Sequence, residues 1–154
     1  MASEQLQKKL ILHREKEQLR QLIDNLHGIQ VGGHRTRESI PSAARDAFRE
    51  FNRSSYTPNL TISDSADKEQ VTAWYRTLFN SARIGKHFWC STTMENFPFI
   101  ECSITGDEWL ESLRTCFGDY LDLVAYDDSS VAATFEDEYR ILGFYRILSP
   151  RPDI

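Results

Sequence analysis

Residues 120–148 read YLDLVAYDDSSVAATFEDEYRILGFYRIL, and the reading of the fold starts there. Three runs, Tyr120 to Tyr126, Val131 to Phe135 and Ile141 to Leu148, are separated by Asp127-Asp128-Ser129-Ser130 and by Glu136 to Arg140. Runs rich in Val, Ile, Phe, Tyr and Thr and bounded by Asp and Ser clusters mark strands joined by turns. The stretch therefore predicts three antiparallel strands in succession. Just upstream, His87 to Thr92 and Phe97 to Ile104, split by Met94-Glu95-Asn96, predict a β-hairpin. Between the two units, Thr105-Gly106-Asp107-Glu108 has the form of a capping box and predicts a helix with Trp109, Leu110, Leu113 and Phe117 facing inward, closed by Gly118.

The N-terminal half reads as helical. Residues 1–28 lack Gly and Pro up to Gly28 and are rich in Gln, Lys, Glu, Arg and Leu, which predicts one long helix capped by that glycine. Leu12, Leu19, Leu22 and Leu26 form a stripe, but Lys8 and Glu15 interrupt the heptads, so the expectation is an arm whose C-terminal half packs on the body while its first turns project. Ile29 to Ser39 reads as a loop with a Gly32-Gly33 hinge. Pro41 opens a second helix with Ala44, Phe48 and Phe51 on one side, and residues 54–64 read as irregular. Val71, Trp74, Tyr75, Leu78, Phe79 and Ala82 follow helical spacing and predict a third helix against the core. The expected fold is α+β: three N-terminal helices, then an antiparallel sheet of about five strands with one inserted helix (ααα-ββ-α-βββ). It is read as one domain over 1–154 with a short tail at 149–154.

The chain has 154 residues, 40% of them hydrophobic and 27% charged, which suits a globular domain rather than a disordered, collagenous or disulfide-scaffold chain. Three cysteines, Cys90, Cys102 and Cys116, in a chain that starts without an apolar leader read as reduced thiols in a cytoplasmic protein. The net charge of −5 is unevenly spread: residues 1–54 carry +3, residues 55–94 carry +1, and residues 95–154 carry −9. So acidic a third repels nucleic acid and anionic membrane and attracts a basic surface.

The acidic turns supply the leading candidate site: Asp122, Asp127, Asp128, Glu136, Asp137 and Glu138, with Tyr120 and Tyr126 as aromatic anchors. Aromatic side chains favour interface cores, and acidic rims speed association with a basic protein. The expected function is a non-catalytic inhibitor that neutralises such a partner, in the manner of an immunity protein or of a phage-type inhibitor of a nuclease or defence enzyme. A second expectation is an assembly protein, with Leu12, Leu19, Leu22 and Leu26 pairing two copies as a homodimer or docking on a larger complex.

A third is a small enzyme acting on a phosphorylated substrate, with His34, Arg35 and Arg37 of Gly32-Gly33-His34-Arg35-Thr36-Arg37 binding phosphate. His34-Arg35-Thr36 matches one of the two H-x-[ST] elements of the two-histidine phosphoesterases, but no second copy occurs. Nucleophile-elbow, zincin, dinucleotide-binding and kinase motifs are absent from the sequence. His87, Cys90 and Cys102 lack a fourth zinc ligand, and no cofactor or metal is expected.

Overall fold

A computed structural model describes residues 2–148; the tail read at 149–154 lies outside the described residues. The chain runs α1 (Ala2–Asn25), β1 (Ile29–Arg35), α2 (Ser42–Phe51), β2 (Leu60–Ser63), α3 (Lys68–Ser81), β3 (His87–Ser91), β4 (Phe99–Ile104), α4 (Trp109–Phe117), β5 (Asp122–Ala125), β6 (Ser130–Glu136) and β7 (Arg140–Ile147). A short 3-10 turn lies at Arg37–Ser39.

The strands form one sheet in the order β1-β4-β3-β5-β6-β7-β2, with every neighbouring pair antiparallel. This corrects the expected architecture. The sheet has seven strands, not five, and the first three helices are separated by strands rather than consecutive. The two additional strands are the two edges. In β1, Ile29 stands opposite Ile104 and Val31 opposite Cys102, and the register slips between Val31 and His34, where Gly32 and Gly33 sit. In β2, Leu60 stands opposite Gly143 and Ile62 opposite Ile141. Each edge segment is short or broken by glycine, and its extended form is set by the ladder of the strand beside it.

Helices cover both faces unequally. On one face α1, α3 and α4 pack over Phe88, Ile100, Leu121 and Leu123, with Tyr75, Leu78 and Leu113 wholly buried beneath them. On the other, α2 sets Ala44, Ala47 and Phe51 against Val124, Val131, Ala133 and Phe144. Each such large apolar side chain contributes about 1.5–3 kcal/mol on burial. The β1, β4 and β3 part of this second face carries His87, Trp89, Glu101 and Ser103, all partly open to solvent.

The helix ends differ from expectation at one point. The α4 cap is Glu108, whose side chain makes no capping bond. The backbone amide of Thr105 is instead committed to Gly28 O at 2.8 Å. Gly28 has φ +74, and a Cβ there would lie 2.8 Å from Gly106 O, so glycine is required to bring the end of α1 against the start of α4. A reciprocal capping box does form at α3, where Asp67 accepts from Gln70 N and Gln70 accepts from Asp67 N.

Glu15 explains the break in the heptads of α1. It is 8% exposed, and its carboxylate accepts from Glu95 N at 2.7 Å, Asn96 N at 2.8 Å and Asn96 Nδ2 at 2.7 Å. Burial raises its pKa, but these hydrogen bonds from the β3–β4 loop outweigh it and hold the carboxyl below its ordinary value. Leu19 and Leu22 pack partly against the core and Leu26 is buried, whereas Leu6 and Leu10 are 58% and 54% exposed. The helix is thus fastened from about its middle onward.

Candidate functional site

The proposed partner-binding residues divide between the two ends of β6. That strand spans seven residues, so its ends lie roughly 20 Å apart. Tyr126, Asp127 and Asp128 form the turn entering β6, while Glu136 ends the strand and Asp137 and Glu138 lie in the turn leaving it. Because β5 runs antiparallel to β6, with Asp122 opposite Ala133, the start of β5 and Tyr120 lie toward the second end.

At the first end the charges are consumed by the fold. Asp128 adopts φ +62 and accepts from Arg35 at 2.7 Å and 3.2 Å, a two-pronged ion pair. Arg35 also donates to Ser39 and lies 5.0 Å over the ring of Trp89. Trp89 stacks with Tyr126, which stacks in turn on His87 with ring centres 3.7 Å apart. The His87 Nε2 meets Glu101 at 2.6 Å, and the other oxygen of Glu101 accepts from Gly33 N. That amide bond and His87 hold the Glu101 carboxyl below its ordinary value. A Cβ on Gly32 would lie 2.7 Å from the same carboxylate, so the two glycines make room for it rather than acting as a hinge. Asp127 accepts from the amide and hydroxyl of Ser129.

The second end has the same kind of residues and a different outcome. Asp137 accepts from Tyr139 N and Arg140 N and pairs with the Arg140 guanidinium at 2.8 Å, which keeps its carboxyl below the usual range. Glu138 and the neighbouring Asp64 make no ion pair among the described residues, Glu136 shares a hydrogen bond with the Asp119 carboxyl, and Asp64 N donates to Tyr139 O. Tyr139 is 72% exposed and Tyr120 is 59% exposed. Behind them Asp119 accepts from Arg114 at 2.7 Å and 3.1 Å and from the hydroxyl of Tyr75. Burial works against the Asp119 charge, but the bonds from Arg114 and Tyr75 prevail and lower its pKa. Asp64 and Tyr139 escaped the reading of the sequence. A tyrosine at the tip of a turn was the available signal for one, and only the pairing of β2 with β7 brings in the other.

Asp122 stands apart from the turn carboxylates: it is half-buried, at the mouth of a cavity beside α1. The loop His34, Arg35 and Arg37 is not gathered into an anion site. His34 packs edge-on against Phe97, Arg35 is taken by Asp128, and Arg37 begins the 3-10 turn.

His87 and Cys90 point to opposite faces, and burial pushes the Cys90 thiol well up and that of Cys102 up to about 12, so neither is a resting thiolate. All three cysteines are free. Among the described residues, no group of three or more His, Cys, Asp or Glu is placed to hold a metal ion, and no helix is long and apolar enough to cross a membrane. Compared with protein-family models, with curated proteins and with solved structures, the chain matches none.

Proposed function

We propose that this chain is a non-catalytic protein that binds a basic partner protein and blocks it, using the end of the sheet at the β6–β7 turn. The observation that carries the reading is Tyr139, 72% exposed beside Asp64 and Glu138, whose carboxylates have no ion pair among the described residues. An exposed tyrosine flanked by carboxylates without ion pairs suits a cationic surface: the acids accelerate encounter and the ring supplies the buried contact. A nuclease or another nucleic-acid-handling enzyme presents such a surface, and carboxylates placed where phosphates would sit compete for it. The immunity-type or phage-type inhibitor role is this reading at its most specific. The three free thiols support a cytoplasmic setting.

The test compares wild type with a variant carrying Asp64→Lys, Glu138→Lys and Tyr139→Ala, which leaves the turn-capping Asp137 in place. Wild type is expected to capture a basic protein from lysate of its own host, to lose it as salt rises through the screening range, and to inhibit that protein once it is purified. Capture and inhibition undiminished in the variant would overturn the reading.

A second reading, assembly through α1, is favoured by the exposure of Leu6 and Leu10, one turn apart on the projecting half of the helix. Leu19, Leu22 and Leu26 already pack within the chain, so self-pairing would run through Leu6 and Leu10. Under this reading, Leu6→Ser with Leu10→Ser converts a dimer to a monomer in sedimentation equilibrium, and an unchanged mass removes it.

A further inference from the structure

A cavity of about 420 Å³ opens between the middle of α1, the β3–β4 loop, the end of α4 and the start of β5. Its size falls within the range of small-molecule sites. Leu22, Met94 and Phe117 supply apolar wall, Tyr120 supplies an aromatic one, and Gln18 and Thr93 supply polar groups. Among its lining residues there is no Lys, Arg or His, and one acid, Asp122.

Asp122 is the anomaly. Asp67, Asp119, Asp128 and Asp137 are each matched by an amide or a guanidinium. The Asp122 carboxylate is half-buried in the cavity wall and meets no protein hydrogen-bond donor and no cation among the described residues. Burial pushes its pKa up to about 6, with no compensating partner. The titratable groups near it are the thiols of Cys116, in the cavity wall, and of Cys90, together with the Tyr120 phenol. Burial raises the pKa of both thiols, so neither thiol is a charge partner near neutral pH. A carboxylate partly stripped of water in this way gains from a cation placed beside it. One carboxylate without other anionic ligands is a poor site for a divalent metal, which takes several oxygen donors. An ammonium group on a small apolar frame fits better. It would donate to Asp122, face the Tyr120 ring, and lay its carbon skeleton on Leu22, Met94 and Phe117.

We propose that this cavity is a binding site for a small organic cation, a primary amine with an apolar or aromatic tail, held by Asp122. The site is independent of the partner-binding surface proposed above. No residue altered in that surface's test lines the cavity.

The experiment titrates the full chain, by amide NMR at about pH 7.5, with 2-phenylethylammonium and n-butylammonium, and in parallel with the uncharged 2-phenylethanol and n-butanol. Shifts confined to the cavity residues are expected with the amines, at least about tenfold weaker with the alcohols and in Asp122→Asn. Amine binding is expected to weaken by about tenfold as the pH falls to about 5, because the carboxylate takes up a proton across that interval. The Asn variant removes a partly desolvated charge and is therefore expected to fold, so its loss of binding reports on the site. No cavity shift with either amine at millimolar concentration, equal binding of amines and alcohols, or undiminished binding by Asp122→Asn would overturn the proposal.

Discussion

The turns at the two ends of β6 are written in nearly the same letters and do different work. Asp127-Asp128 follows Tyr126, and Glu136-Asp137-Glu138 precedes Tyr139. At the first turn, Asp128 reaches across to Arg35 in β1, and the pair is capped by a stack of Trp89, Tyr126 and His87 that joins β3 to the β5–β6 turn. At the second, Asp137 closes its own turn with Arg140, three residues away, and leaves Glu138 and Tyr139 outside. The lesson is that a count of carboxylates does not describe a surface. What matters is where the cation comes from: Arg35 reaches the first turn from β1, across the sheet, whereas Arg140 at the second belongs to the turn's own hairpin.

The largest expected effect probes what lies beneath the second turn. Asp119→Ala strands Arg114 and the Tyr75 hydroxyl and should cost about 2–4 kcal/mol in urea unfolding; a loss below about 1 kcal/mol would mean that the exposed turn stands without it. Its pH signature has a definite sign. The folded pKa of Asp119 lies below its unfolded value, so its contribution is present above the unfolded value and is lost as pH falls through the folded one. Asp119→Ala should therefore flatten the acid side of the stability profile. Asp122 runs the opposite way, because its folded pKa is raised: its penalty grows as pH rises from about 4 to about 6. Asp122→Asn should raise the melting temperature at neutral pH and lose that advantage toward about pH 4.

The next effect tests the first turn. Asp128→Ala removes a two-pronged ion pair and places alanine at φ +62, for an expected cost of about 2 kcal/mol. Asp128→Asn, which tolerates that backbone, should recover part of it; no difference between the two would show that strain is not part of the cost. Asp137→Ala, by contrast, loses bonds within one exposed turn and should cost about 1 kcal/mol or less. If it cost as much as Asp128→Ala, the two ends would be equivalent after all. The smallest effect sharpens the contrast: Glu138→Gln with Tyr139→Ala should leave stability within about 0.5 kcal/mol of wild type while weakening partner binding.

Much of the chain was legible because its segments carry their own period. The α3 stripe from Val71 to Ala82, the hairpin of β3 and β4, and the three strands after Tyr120 all show it. These elements sit mainly at the centre of the molecule, where apolar alternation or helical spacing must be strong enough to be buried. The capping box at Thr105 was misread because a local motif competed with a distant carbonyl, that of Gly28, for the same amide. At the candidate site the residue types could be read and their grouping could not. Nothing local in Asp127-Asp128 reveals that Arg35 lies across from it.

By itself the sequence determined the periodic elements: four helices, the central antiparallel strands, an acidic C-terminal third and three thiols without a disulfide. Tertiary structure alone decided that Ile29–Arg35 and Leu60–Ser63 become the two edges of a seven-stranded sheet. An edge strand takes its conformation from the open hydrogen-bonding groups of the neighbour it joins, so a glycine-broken or four-residue segment needs little signal of its own. The same tertiary arrangement decides which carboxylates meet a cation, which stand in solvent, and that Asp122 lines a cavity without a cation beside it.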